Sequence, residues 1–103
     1  MKNYGRKVTG ENINSAVKDA FFEIKKIKPE DIFGYVLLTD YGVTAPEVDK
    51  LARKVAEHFE FPDELDEDDI SYFFGQQDWK TLTIHLFTEC CIDLICYKVL
   101  VDL

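Results

Sequence analysis

The side chains able to do chemistry in this chain of 103 residues are few, and their spacing suits little of it. His58 and His85 are its two imidazoles, the groups whose ordinary pKa fits general-base work near neutral pH. Neither adjoins a Ser or Cys in the arrangement a nucleophilic site needs, so no catalytic residue is assigned and the chain reads as non-enzymatic. A zinc set can be drawn from His85, Cys90, Cys91 and Cys96, but its His-x4-Cys-Cys-x4-Cys spacing fits no standard finger or ribbon. The glycines at 5, 10, 34, 42 and 75 are isolated, with none of the clustering that cradles phosphate. No metal and no cofactor is expected.

Carboxylates are the abundant reactive group. Residues 60–69 read Glu-Phe-Pro-Asp-Glu-Leu-Asp-Glu-Asp-Asp, seven acids in ten positions without a base. Calcium would want alternating oxygen ligands, a central glycine and a distal bidentate glutamate, a pattern that does not follow Asp69. Glycoside cleavage would want two carboxylates in an aromatic-lined cleft, and a chain with one Trp has little to line it. What remains is the charge itself. Twelve Lys and Arg stand against twenty Asp and Glu, and the imbalance is uneven. Residues 1–59 hold ten bases and nine acids; residues 60–103 hold two bases and eleven acids. That asymmetry favours a basic protein partner and argues against nucleic acid or an anionic membrane, whose phosphates require Lys and Arg.

The elements that position these groups must come from one domain, 1–103, because the length leaves no room for a second. Its composition, 47% hydrophobic and 31% charged, is that of an ordinary globular protein rather than a disordered chain. The opening Met-Lys-Asn-Tyr-Gly-Arg-Lys precedes no apolar stretch, so no secretory signal is expected, and no apolar run reaches membrane-spanning length. Three cysteines, two of them adjacent, make a poor disulfide framework and read as buried thiols in a reducing, cytoplasmic setting.

Ile13, Ala16, Val17, Ala20, Phe21, Ile24 and Ile27 repeat at the spacing of one helical face and predict a helix over 12–28, stopped by Pro29. Residues 32–39, Ile-Phe-Gly-Tyr-Val-Leu-Leu-Thr, read as an interior strand. Thr44 and Glu47 make a capping box that opens a second helix over 45–60, with Val48, Leu51, Ala52, Val55 and Phe59 on its buried side. The acidic run reads as an exposed loop. Residues 70–74 and 79 onward read as a hairpin, because Leu82, Ile84 and Leu86 alternate with Thr81, Thr83 and His85. A helix competes there, with Asp78, Thr81, His85 and Glu89 along one stripe, but the β-branched Thr81, Thr83 and Ile84 favour the strand. A last strand is expected over 94–101. The expected fold is α+β, two amphipathic helices packed on a mostly antiparallel sheet of three to four strands.

Two resemblances add to this reading. Phe21-Phe22, Pro29-Glu30 and Gly34-Tyr35-Val36-Leu37-Leu38-Thr39-Asp40, with Asp78-Trp79 further on, resemble a bacterial domain family of unknown function across residues 12–80. In size, acidity and lack of catalytic residues the chain also resembles the immunity proteins of bacterial contact-dependent growth inhibition systems and nuclease bacteriocins. That resemblance implies a cytoplasmic inhibitor that neutralises a basic toxin domain by presenting carboxylates and aromatics. The candidate partner-binding residues are Asp63, Glu64, Asp66, Glu67, Asp68 and Asp69, with Tyr72 and Trp79 as aromatic anchors. The competing reading is a non-catalytic structural or regulatory adaptor that self-associates as a homodimer through its apolar C-terminal strands.

Overall fold

Thr9 opens the first helix: its side-chain oxygen accepts from the Asn12 amide at 3.0 Å, occupying one of the orphan donors of the first turn. The helix, α1, spans Gly10–Lys25 and buries Ile13, Ala16, Val17, Ala20 and Phe21, the face expected from spacing. It stops before Pro29 is reached. Lys26 turns to the left-handed conformation (φ 60°) and donates its amide to the Phe22 carbonyl, which ends the helix three residues ahead of the proline. Pro29–Asp31 then forms a short 3-10 turn.

The second helix, α2, spans Ala45–Ala56, with Val48, Leu51, Ala52, Val55 and Ala56 buried. The Glu47 carboxylate reaches back to accept from the Thr44 amide (3.0 Å) and the Thr44 hydroxyl (3.1 Å), closing the expected capping box. Among the described residues the two remaining α-helices are α3, Glu67–Phe74, and α4, Ile84–Val101. The computed structural model describes residues 8–59, 67–74 and 78–101, and all regular elements among them are helical. The α+β expectation is therefore overturned, and with it the antiparallel sheet.

Each misread element has a physical cause. Residues 32–39 are apolar because Ile32 and Leu38 enter the core, yet the segment is irregular and passes into a 3-10 turn at Leu38–Tyr41. Its middle, residues 34–36, is a turn, and Leu37 alone makes an isolated antiparallel bridge, to Thr83 just before α4. The predicted hairpin is instead α3, a 3-10 turn at Trp79–Thr81, and the start of α4. The β-branched residues that favoured a strand sit outside the helix interior. Thr81 ends the turn, Thr83 precedes α4, and Ile84 is its first residue. Position Thr83 suits a threonine, whose hydroxyl oxygen accepts from the Leu86 amide at 3.1 Å. The strand expected over 94–101 is the second half of α4.

Helix α1 packs against α2 and α4, and α3 packs on α4. Phe21 lies at the junction, edge-on to Phe87 of α4 (6.4 Å) and to Tyr41 (5.9 Å). Helix α4 is the central element. Ile84, Phe87, Thr88, Cys90, Cys91, Leu94 and Ile95 are all buried, while His85, Leu86, Glu89, Asp93 and Tyr97 are exposed. Among the described residues no helix is long and apolar enough to cross a membrane.

Candidate partner-binding surface

Helix α3 carries the described part of the acidic run. Ile70 and Phe74, four residues apart, are buried, and Phe74 packs its ring on Phe87 at 5.4 Å. That contact docks α3 on α4 and fixes which side faces outward. Asp68 and Tyr72 share the opposite spacing and are exposed, Tyr72 by 64%. A carboxylate and a phenol ring are thus presented together on one side of a helix. Glu67 and Asp69 belong to the same helix, though their side chains lie outside the described residues, as do Asp63, Glu64 and Asp66 entirely.

Trp79 differs from Tyr72. It is half-buried in its 3-10 turn and packs against the hydrophobic core, so most of its indole serves the fold. Asp78 caps that turn, its carboxylate accepting from the Lys80 amide at 3.1 Å and its carbonyl from the Thr81 hydroxyl at 2.7 Å. The expected anchor pair therefore divides into one outward ring and one structural ring.

The groups weighed for catalysis are dispersed. His85 is exposed on the first turn of α4, 3.8 Å from Glu89. His58 is half-buried at the mouth of an open cleft of about 360 Å³, lined by Asp19, Phe22, Glu23 and Pro29 as well. Among the described residues no hydroxyl or thiol nucleophile lines that cleft. Cys90 and Cys91 are buried, and burial pushes both thiols above their ordinary range, Cys91 well above it. A thiol held protonated is a poor nucleophile and a poor metal ligand. Among the described residues no three His, Cys, Asp or Glu side chains are grouped to hold a metal.

One exposed feature was hidden from sequence reasoning. Phe33 and Tyr35 were absorbed into the expected interior strand, but they are 46% and 78% exposed. Only the position of Gly34 between them hinted that the segment was not an ordinary strand.

No known protein family, no curated protein and no solved structure matches this chain.

Proposed function

We propose that this chain is a non-catalytic binding protein that neutralises a basic protein partner, a toxin domain of the nuclease kind, in a reducing, cytoplasmic setting. The observation that carries the reading is the uncompensated acidity of residues 60–103, joined to the outward placement of Asp68 beside Tyr72 on α3. A carboxylate field of this density raises the encounter rate with a cationic surface and disfavours acidic competitors. An exposed tyrosine supplies an anchor of large area and few rotatable bonds. The rival adaptor reading depended on an open strand edge at the C-terminus, where α4 stands instead.

The test starts from the gene neighbourhood. A cationic toxin domain encoded beside this chain should be inhibited by it in a nuclease assay, with an inhibition that weakens as salt rises. A neighbouring toxin that stays fully active with a molar excess of the protein would contradict the proposal.

A further inference from the structure

The exposed rings of Phe33 and Tyr35 stack on one another, with centroids 5.8 Å apart and planes at 29°. Two large rings held out in water are normally a liability in a surface loop. Here the loop is also tied down. The Phe33 amide donates to the Tyr41 hydroxyl (2.9 Å), which itself donates to the Asp31 carbonyl (2.8 Å). The Gly34 and Val36 carbonyls accept from the first amides of α4, and the Val36 amide returns to the Phe33 carbonyl at 3.2 Å. The backbone carrying the rings is thus fixed before any partner arrives, which removes much of the ordering cost of binding.

The sequence on either side of the pair is acidic. Neither residues 29–49 nor residues 81–97, the two stretches that these bonds bring together, contain a Lys or Arg. They hold seven carboxylates, of which Glu30, Asp31 and Asp40 flank the loop and Glu89 follows His85 by one turn. The Glu47 carboxylate is already met by Lys25, which reaches in from α1. Glu23 in the Phe22 cleft has Lys54 3.9 Å away, and Glu89 has the His85 imidazole 3.8 Å away, which leaves Asp31 and Asp40 as the carboxylates the inference uses.

We infer that the Phe33–Tyr35 stack, with Asp31 and Asp40 close to it in the chain, is a preformed docking point for an arginine side chain of a basic protein partner. A guanidinium lies flat on an aromatic face while its edge donates to carboxylates, whereas an ammonium does the first poorly and cannot present a planar fork. The inference rests on the reading of a basic partner and adds a contact separate from the α3 acids.

The probes are nona-arginine and nona-lysine peptides, titrated calorimetrically at low salt, with the ring protons of Phe33 and Tyr35 followed by NMR. The protein should prefer nona-arginine, and both rings should shift with it. The double variant Phe33→Ala/Tyr35→Ala should keep the helical circular dichroism, because both side chains are exposed. It should lose about 5- to 30-fold in nona-arginine affinity and the preference with it. Equal affinities for the two peptides, or an unchanged nona-arginine affinity in the variant, would overturn the inference. Self-association that disappears in the variant, without any arginine preference, would overturn it in favour of a second copy of the chain. Neutralising Asp66, Glu67, Asp68 and Asp69 separates the two claims. Under the inference it weakens both peptides alike and leaves the preference intact; if it abolishes the preference, the docking point lies on the acidic run and not on the rings.

Discussion

The backbone amide of His85 donates to the carbonyl of Gly34 at 2.9 Å, joining the first turn of α4 to a loop some fifty positions earlier in the chain. Its neighbour repeats the arrangement, the Ile84 amide donating to the Val36 carbonyl at 2.9 Å. The Leu86 amide takes the Thr83 hydroxyl and the Phe87 amide the Thr83 carbonyl. Three of the amides that open a helix without intrahelical partners are satisfied here, those of Ile84 and His85 by a distant segment and that of Leu86 by the Thr83 side chain, and the Phe87 bond begins the intrahelical ladder. The apolar 32–39 stretch is therefore the cap of the central helix, and it carries Phe33 and Tyr35 as it does so.

Amide hydrogen exchange should show this directly. First-turn amides ordinarily exchange as open sites, but those of Ile84 and His85 should be protected to a degree close to the core amides of α4. Free exchange at both would mean that the loop detaches in solution. Thr83→Ala should cost about 0.5–2 kcal/mol of stability, the usual loss for a helix cap.

Phe21 and its neighbour Phe22 give a paired test of the core. Phe21 is fully buried between Tyr41 and Phe87, whereas Phe22 is 49% exposed at the cleft. Phe21→Ala should cost about 3–5 kcal/mol and Phe22→Ala under about 1 kcal/mol in chemical denaturation. Similar losses at both positions would misplace the buried face of α1.

Much of this was legible in the sequence. The faces of α1 and α2 and the Thr44–Glu47 cap follow from periodicity and side-chain chemistry that act within a few residues. The remainder depended on partners far away in the chain. Nothing local to Leu82–His85 says that Gly34 and Val36 will supply carbonyls, and without that cap a threonine-rich, alternating run has the character of a strand. Helix α4 does carry an exposed stripe, His85, Glu89, Asp93 and Tyr97 at four-residue spacing, but its exposed side also includes Leu86 and its buried side includes Thr88, which blurs the helical period. The same confusion hid the exposed ring pair, since an expected interior strand would have buried both rings. Of the candidate surface, Asp68 and Tyr72 stand exposed on α3, and the packing of Trp79 against the core depends on residues far away in the chain.

Lys26 occupies a conformation that disfavours every residue with a Cβ, at φ 60°. Lys26→Gly should raise stability by about 0.5–1 kcal/mol, the relief of the left-handed strain exceeding the entropy added to the unfolded chain. A lower melting temperature in the variant would show that the lysine side chain holds something more valuable than the turn.

Glu47 makes stability depend on pH. Its carboxyl is held below the ordinary 4.5 first by the Thr44 amide and then by Lys25, whose ammonium lies 3.1 Å away and also donates to the Gly42 carbonyl at 2.9 Å. Because the folded value is below the unfolded one, the stabilisation is complete above the unfolded pKa and is lost as pH falls through the folded value. Glu47→Gln should cost about 1 kcal/mol at neutral pH. The difference from the wild type should vanish in acid, below the range where the carboxylate takes its proton. A constant difference across pH 3 to 7 would leave the Lys25 contact without a role in stability.

The claim that an acidic surface captures a basic partner is tested most directly by association kinetics. The protein and a variant with Asp66, Glu67, Asp68 and Asp69 changed to Asn and Gln would be bound to a cationic nuclease-toxin domain, the class of partner proposed, from low to moderate salt. Electrostatic steering raises on-rates by about 10- to 1000-fold, and its reach shrinks from about 30 Å at 0.01 M salt to about 10 Å at 0.1 M. The wild-type on-rate should fall steeply across that range and the variant should start lower and fall gently, with both remaining folded. Identical on-rates and identical salt slopes would contradict the account.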